Sequence, residues 1–133
     1  MFYMIELEMK RDSMKITVNE CYELDGDYQN QFLGNEVFPK PKYKKVKPAE
    51  RSVNSVHYND VYILEPLHYY YVTFNEDTKE LNDFSLNIQS PFYENGLFMS
   101  LNAEQGRMYL FNASQNIIYL QKKTKIGEVD YYG

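Results

Sequence analysis

The sequence has no tryptophan, one cysteine, six glycines and five prolines in 133 residues. Each scarcity closes a class of answer. A single cysteine, Cys21, permits no intrachain disulfide and no cysteine-based zinc site, which points to a reducing, intracellular setting. With so few, scattered glycines there is no Gly-rich phosphate loop. His57 and His68 are the only histidines and lie in separate segments, so no metal site is expected. Long apolar runs are missing as well. The opening MFYMIELEMKRD is broken by Glu6 and Glu8 and carries no leading positive charge. It is therefore not expected to be a signal peptide, and no stretch is long enough for a membrane-spanning helix. A cytoplasmic or virion location is the expectation.

What the chain does have is aromatic residues. Tyrosine occurs 14 times and phenylalanine 8 times, and aromatics make up 17% of the chain. Such rings pack well on pleated strands. Tyrosine also suits interfaces, because it pairs a wide apolar face with a polar tip. At this length one domain, residues 1–133, is the natural reading. The net charge is -5 but unevenly spread. Between Lys40 and Arg51 there are six basic residues (Lys40, Lys42, Lys44, Lys45, Lys47, Arg51) against Glu50 alone; elsewhere there are 8 basic and 18 acidic residues. The chain is an acidic body with a basic strip. Three of its five prolines fall in or beside that strip, FPKPKYKKVKPAERS. The stretch 39–51 therefore reads as an exposed, extended and largely unpaired arm. Only Tyr43 interleaves with the cations, which favours docking on acidic protein over nucleic acid.

Period-two alternation predicts strands throughout. Met14, Ile16 and Val18 alternate with Lys15, Thr17 and Asn19. Val61 to Leu64 reads as a buried strand, broken by Pro66; Tyr69 to Phe74 is a second. Phe84, Leu86 and Ile88 share a face, and a further strand follows Gly106. Asp25 to Asp27 is a turn, and Asn95-Gly96 is the strongest short hairpin signal. Ile117-Ile118-x-Leu120, through a lysine-rich turn to Ile126-Gly-x-Val129, reads as a closing hairpin. No convincing helix is present; residues 102–105 could form a turn or one helical coil. Short, evenly spaced strands point to an all-β barrel or sandwich.

The order of these features resembles the dUTP pyrophosphatase and dCTP deaminase superfamily. YILEPLHYYYVTFNE (Tyr62 to Glu76) is similar to its strand, turn and strand ending in Thr-x-Glu. IQSPFYENGL (Ile88 to Leu97) stands where the family has its Arg-Ser-(Ser/Gly)-Leu-Ala-x-x-Gly motif. Asn112-x-Ser114 and Ile126-Gly-x-Val129 match its closing segment. The resemblance covers about the last half of the chain and implies an all-β, jelly-roll-like β-clip barrel with little or no helix. It also implies a homo-oligomer, usually a trimer.

The family's chemistry does not follow. The phosphate-gripping arginine is replaced by Gln89, and only Ser90 of the motif's polar start survives before Pro91, Phe92 and Tyr93. Guanidinium offers a bidentate fork that an amide cannot replace. The short stretch from Leu97 to Gly106 holds no aspartate, and Glu104 is its single acid. Tyr109 stands where the deaminases place a glutamate. The leading expectation is thus a non-enzymatic assembly module without metal or cofactor, for instance a capsid-decorating component, with the basic strip reaching a neighbour. The alternative is a divergent nucleotide pyrophosphatase or nucleotide-binding regulator. It would use Gln89, Ser90, Asn95 and Gly96 around the ligand, Glu104 as the water-activating base, and Mg2+ with the nucleotide.

Overall fold

A computed structural model of the chain describes residues 11–25, 42–81, 84–88 and 90–132. The ten strands are β1 (Arg11–Leu24), β2 (Tyr43–Lys45), β3 (Ala49–Val53), β4 (Val56–Leu64), β5 (Tyr69–Phe74), β6 (Ser85–Ile88), β7 (Leu97–Asn102), β8 (Arg107–Asn112), β9 (Ile118–Gln121) and β10 (Lys125–Tyr132). Among the described residues one short helix, α1 (Ser90–Glu94), interrupts them. The all-β expectation holds. Six of the strands run in the order β6-β10-β1-β5-β8-β7, and β2 adds to β1, giving a seven-stranded, nearly closed barrel-like sheet. A second sheet has the order β3-β4-β9.

The core follows from period two. Ile16, Val18, Val72, Met108, Leu110 and Val129 of the larger sheet face Tyr62, Leu64 and Leu120 of the smaller one, all essentially shut from solvent. Fully burying an aliphatic or Phe side chain is worth about 1.5–3 kcal/mol. The alternation in β1 slips once. Its register with β5 shifts between Val18 and Cys21, so Cys21 turns inward and Glu20 and Tyr22 turn out. Residues just after β5 hold this irregularity. Thr17 donates from N and Oγ1 to the Glu76 carboxylate at 2.6 and 2.7 Å, and Asn75 Nδ2 donates to Thr17 Oγ1 at 3.0 Å. The Glu76 of the Thr-x-x-Glu stretch is thus occupied in structure.

Three expectations need correction. Asn95-Gly96 does not close a β-hairpin. Residues 90–94 coil into α1, and Gly96, at φ +85°, ends it, its N–H donating to Tyr93 O at 3.0 Å. The two-residue hairpin turn is instead Asn54–Ser55, both at positive φ (51° and 66°), between β3 and β4. The closing segment is also no hairpin. β9 pairs with β4, whereas β10 pairs with β1 and β6, so the turn at Lys122–Lys123 carries the chain from one sheet to the other. Finally, the described part of the basic strip, residues 42–51, is exposed but its backbone is not unpaired. β2 pairs with Tyr22–Leu24 and β3 with β4, because Pro48 falls between the two strands rather than inside either. The turn expected at Asp25 to Asp27 lies largely outside the described residues, which end there at Asp25.

The two sheets are joined at Asn112, which is 0% exposed. Its Nδ2 donates to Leu64 O at 3.0 Å and Asn116 O at 2.8 Å, and its Oδ1 accepts from Ser114 N and Oγ at 3.0 and 2.7 Å. The Asn-x-Ser sequon is therefore structural: its amide nitrogen is buried and spent. Removing such a side chain leaves buried carbonyls unsatisfied, at about 1–3 kcal/mol each. Asn112→Ala is expected to lower unfolding free energy by about 2–4 kcal/mol in urea titrations. A loss below the scatter of the titration would show that water replaces the amide at no cost.

Candidate functional site

The residues singled out by sequence are dispersed. Gln89 and Lys40 lie outside the described residues. Ser90 opens α1. Asn95 and Gly96 follow it, packed on the Asn112–Ser114 turn: Ala113 N donates to Gly96 O at 2.9 Å, and a Cβ on Gly96 would come within 3.1 Å of Ser114 Cβ. Glu104 sits in the exposed turn after β7. Strand β7 separates it from Gly96, roughly 20 Å at ~3.3 Å per residue. A single chain does not bring Glu104 to Asn95 and Gly96. Tyr109, at the deaminase glutamate position, donates its hydroxyl to Gln105 Oε1 at 3.0 Å.

Arg51 and Asn95 line two neighbouring clefts that together form a groove the sequence does not announce. Two adjoining clefts of about 320 and 360 Å³ share Phe92 and Tyr119 as walls. One adds Arg51, Tyr58, Val61 and Gln121; the other adds Asn95, Asn116 and Ile117. The groove thus combines a guanidinium, three aromatic rings and several amides, a set able to hold an anion beside a flat ring. None of its lining residues is Asp, Glu or His. It has no carboxylate or imidazole to take a proton from water. Nor does it offer a carboxylate for Mg2+, and among the described residues no group of three His, Cys, Asp or Glu is placed to hold a metal.

Two histidine contacts complete the polar inventory. His57 lies across from Ser52 (Nδ1 to Oγ, 3.2 Å), with Asn59 Oδ1 at 3.1 Å and Glu50 Oε2 at 3.8 Å from Nε2. All four residues are exposed on the β3–β4 ribbon, where water screens them. His68 Nδ1 meets Glu23 Oε1 at 2.6 Å, tying the entry of β5 to β1. Cys21 is fully buried, and burial pushes its thiol up to about 12. It packs as a small apolar group with negligible thiolate.

The largest concentration of one chemistry is the outer face of the seven-stranded sheet. Because Tyr70, Val72 and Phe74 point inward, Tyr69 and Tyr71 point out; likewise Met108 and Leu110 face in while Arg107, Tyr109 and Phe111 face out. Register places the outward sets side by side: Tyr69 opposite Phe111, Phe111 opposite Phe98, Tyr71 opposite Tyr109 and Tyr22. The rings interlock. Tyr22 stacks on Tyr71 with centroids 4.7 Å apart, Tyr43 meets Tyr71 edge-on at 4.7 Å, and Tyr69 stacks on Phe111 at 4.4 Å. The Arg107 guanidinium lies 4.3 Å from the Tyr71 centroid. Phe98 is 60% and Tyr69 45% exposed. A shallow cleft of about 230 Å³ runs among Leu24, Tyr43, Tyr69, Phe98, Tyr109 and Phe111.

The exposed cations Lys42, Lys44, Lys45 and Lys47 border this face on the β2 side, whereas Arg51 belongs to the groove. The sequence strip is thereby split between two surfaces. Glu20 accepts from Tyr22 Oη at 2.6 Å and Lys45 Nζ at 3.3 Å; these partners hold its carboxyl below the usual carboxylate range. The tyrosine excess is plain in the sequence but this grouping is not, although Tyr69/Tyr71 and Tyr109/Phe111 at alternate positions carry the signal.

No protein-family model matches the chain, and no curated protein matches it in sequence. Among the described residues no helix is long and apolar enough to cross a membrane.

The phenols provide a check on this packing. The hydrogen bond to Glu20 pushes Tyr22 up to about 12, burial pushes Tyr62 up to about 12, and burial also raises Tyr70. Raised phenol values mean that the folded state holds protons the unfolded chain has released. Stability from these groups is complete below the ordinary value of 10 and is lost as pH rises toward about 12. Urea midpoints are expected to fall over that window and to fall less in Tyr62→Phe. Midpoints that stay level between about pH 10 and about pH 12 would contradict the assigned burial.

Proposed function

We propose that this protein is a non-enzymatic assembly module, a dUTP pyrophosphatase-like β scaffold that associates with copies of itself through the aromatic outer face of its larger sheet. The single observation supporting this reading is that face: interlocked tyrosines and phenylalanines, with Phe98 and Tyr69 left in solvent. Exposed aromatics ringed by polar groups are typical of protein-binding patches, and Tyr and Arg are frequent anchors there. Charge selects a second copy as the partner. The lysines beside the face complement the acidic remainder of an identical chain, so contact is favoured head to tail. Head-to-tail contacts close into rings when the rotation allows, and a trimer is the ring that the family resemblance implies. A capsid-decorating role in a virion is the setting that suits such a module.

The groove supports a second reading, a regulator or divergent pyrophosphatase that binds a nucleotide between Phe92 and Tyr119 with Arg51 on its phosphates. Absence of a carboxylate among the lining residues favours binding over hydrolysis.

Tyr69→Glu is expected to weaken self-association at least about tenfold in sedimentation velocity, since it places a desolvated charge at the centre of the contact, and to leave the circular dichroism spectrum unchanged. Association unaffected by Tyr69→Glu would overturn the face as the contact. Turnover of dUTP or dCTP with Mg2+, lost in Glu104→Gln, would replace this reading with the enzymatic one.

A further inference from the structure

An open sheet edge can recruit an extended chain as an added strand, with pockets beside the edge for its alternate side chains. The smaller sheet has such an edge. In the order β3-β4-β9, β9 has β4 on one flank and, among the described residues, no strand on the other. Every residue from Asn116 to Gln121 lines one of the two adjoining clefts, so the groove follows β9 along its whole length. That length is roughly 20 Å at ~3.3 Å per residue, the span of about six peptide residues.

The hydrogen-bond phase fixes which groups face the open flank. Lys122 N donates to Asp60 O at 2.8 Å, in step with the register Val61↔Gln121, Tyr62↔Leu120 and Ile63↔Tyr119. Bonded and non-bonded pairs alternate in an antiparallel ladder. Leu120 therefore bonds Tyr62, while Tyr119 and Gln121 turn their N–H and C=O groups away from β4. Gln121 O accepts from Thr124 N at 3.2 Å. The Tyr119 N–H and C=O and the Gln121 N–H have no partner among the described residues.

Side chains narrow the choice of ligand. Arg51 is the one charged residue in the lining of either cleft. Among the described residues its guanidinium makes one hydrogen bond, to Glu50 O at 3.4 Å, whereas the Glu50 carboxylate lies 3.8 Å from His57 Nε2. Val53, Tyr58 and Val61 line the Arg51 cleft and Leu97, Ile117 and Ile118 the other, with Phe92 and Tyr119 shared. Glu50, Asp60 and Glu94 adjoin lining residues in sequence without lining the clefts, and the whole chain carries -5. A single carboxylate suits Arg51, whereas a run of acids or a triphosphate is opposed by those neighbours.

We infer that the groove takes an extended peptide, added as a strand to β9, with apolar side chains at alternate positions and one carboxylate on Arg51. A peptide backbone supplies the evenly spaced donors and acceptors that the open flank of β9 calls for; a nucleotide does not. The aromatic face of the larger sheet plays no part, so peptide binding and self-association can fail independently.

The test pans a random peptide library displayed on phage against the full chain, then titrates the selected peptide by fluorescence anisotropy. Enriched sequences are expected to carry apolar residues at alternate positions and one Asp or Glu. Arg51→Gln is expected to weaken the selected peptide at least about tenfold, and amidating its acid to weaken it as much, with no further loss when the two changes are combined. N-methylation of alternate peptide amides is expected to abolish binding in one phase and to be tolerated in the other. Tyr69→Glu is expected to leave the affinity unchanged. A peptide indifferent to Arg51→Gln, or to N-methylation in both phases, would overturn the inference. So would a library without enriched sequences: dUTP binding would then assign the groove to a nucleotide, and self-association lost in Arg51→Gln would assign it to a second copy. If Arg51→Gln fails to fold, the amidated and N-methylated peptides on the wild-type chain decide.

Discussion

The described fold depends on one buried amide. Asn112 ends β8 in the larger sheet, yet its side chain bonds Leu64 at the end of β4 and Asn116 before β9, both on the smaller sheet's path. A peptide-like group in an apolar interior costs free energy unless its partners are present. Both carbonyls and the Ser114 donors therefore fix the separation of the sheets and the path of the 112–116 turn. The Gly96 turn rests on that path, α1 precedes the Gly96 turn, and Phe92 of α1 forms one of the two walls common to both clefts. The groove is a consequence of the hub. Two further bonds complete the closure: Lys123 N donates to Val18 O at 2.7 Å, and the Tyr62 hydroxyl donates to Asn19 O at 2.7 Å.

Local alternation revealed much of this. Met14-Ile16-Val18 and Phe84-Leu86-Ile88 lie as the period predicts, because one face of each is the more buried and burial fixes side-chain direction, and Tyr69 to Phe74 is the strand expected there. What alternation cannot carry is partner choice. Ile118–Gln121 and Lys125–Tyr132 look like a hairpin because a turn lies between them, but the left-handed Lys123 redirects the chain into the other sheet. Asn95-Gly96 misleads for a related reason: a positive-φ glycine serves a helix end as well as a hairpin. The basic strip was legible as exposed and charged, while its division between a sheet margin and a groove was not, since that depends on which strands β2 and β3 join.

The candidate sites show the same limit. Positions matched to a catalytic family fall at opposite ends of β7, and the one cation in the groove, Arg51, comes from a segment the resemblance did not cover. Conversely, the aromatic face draws on five strands, so it exists only once β1, β2, β5, β7 and β8 are in register. Its rings cover one another, and what they leave in solvent is a broad, weakly polar surface rather than a cavity. Such a surface offers area and shape to another protein, but little to grip a small molecule.

The most direct measurement is a side-chain NMR titration in two arms, one raising protein concentration and one adding dUTP at fixed concentration. The account predicts that ring resonances of Tyr69, Phe98 and Phe111 move with protein concentration, while those of Phe92 and Tyr119 stay in place when dUTP is added. Movement confined to Phe92, Tyr119 and the Arg51 guanidinium on addition of dUTP, with a face indifferent to concentration, would contradict it.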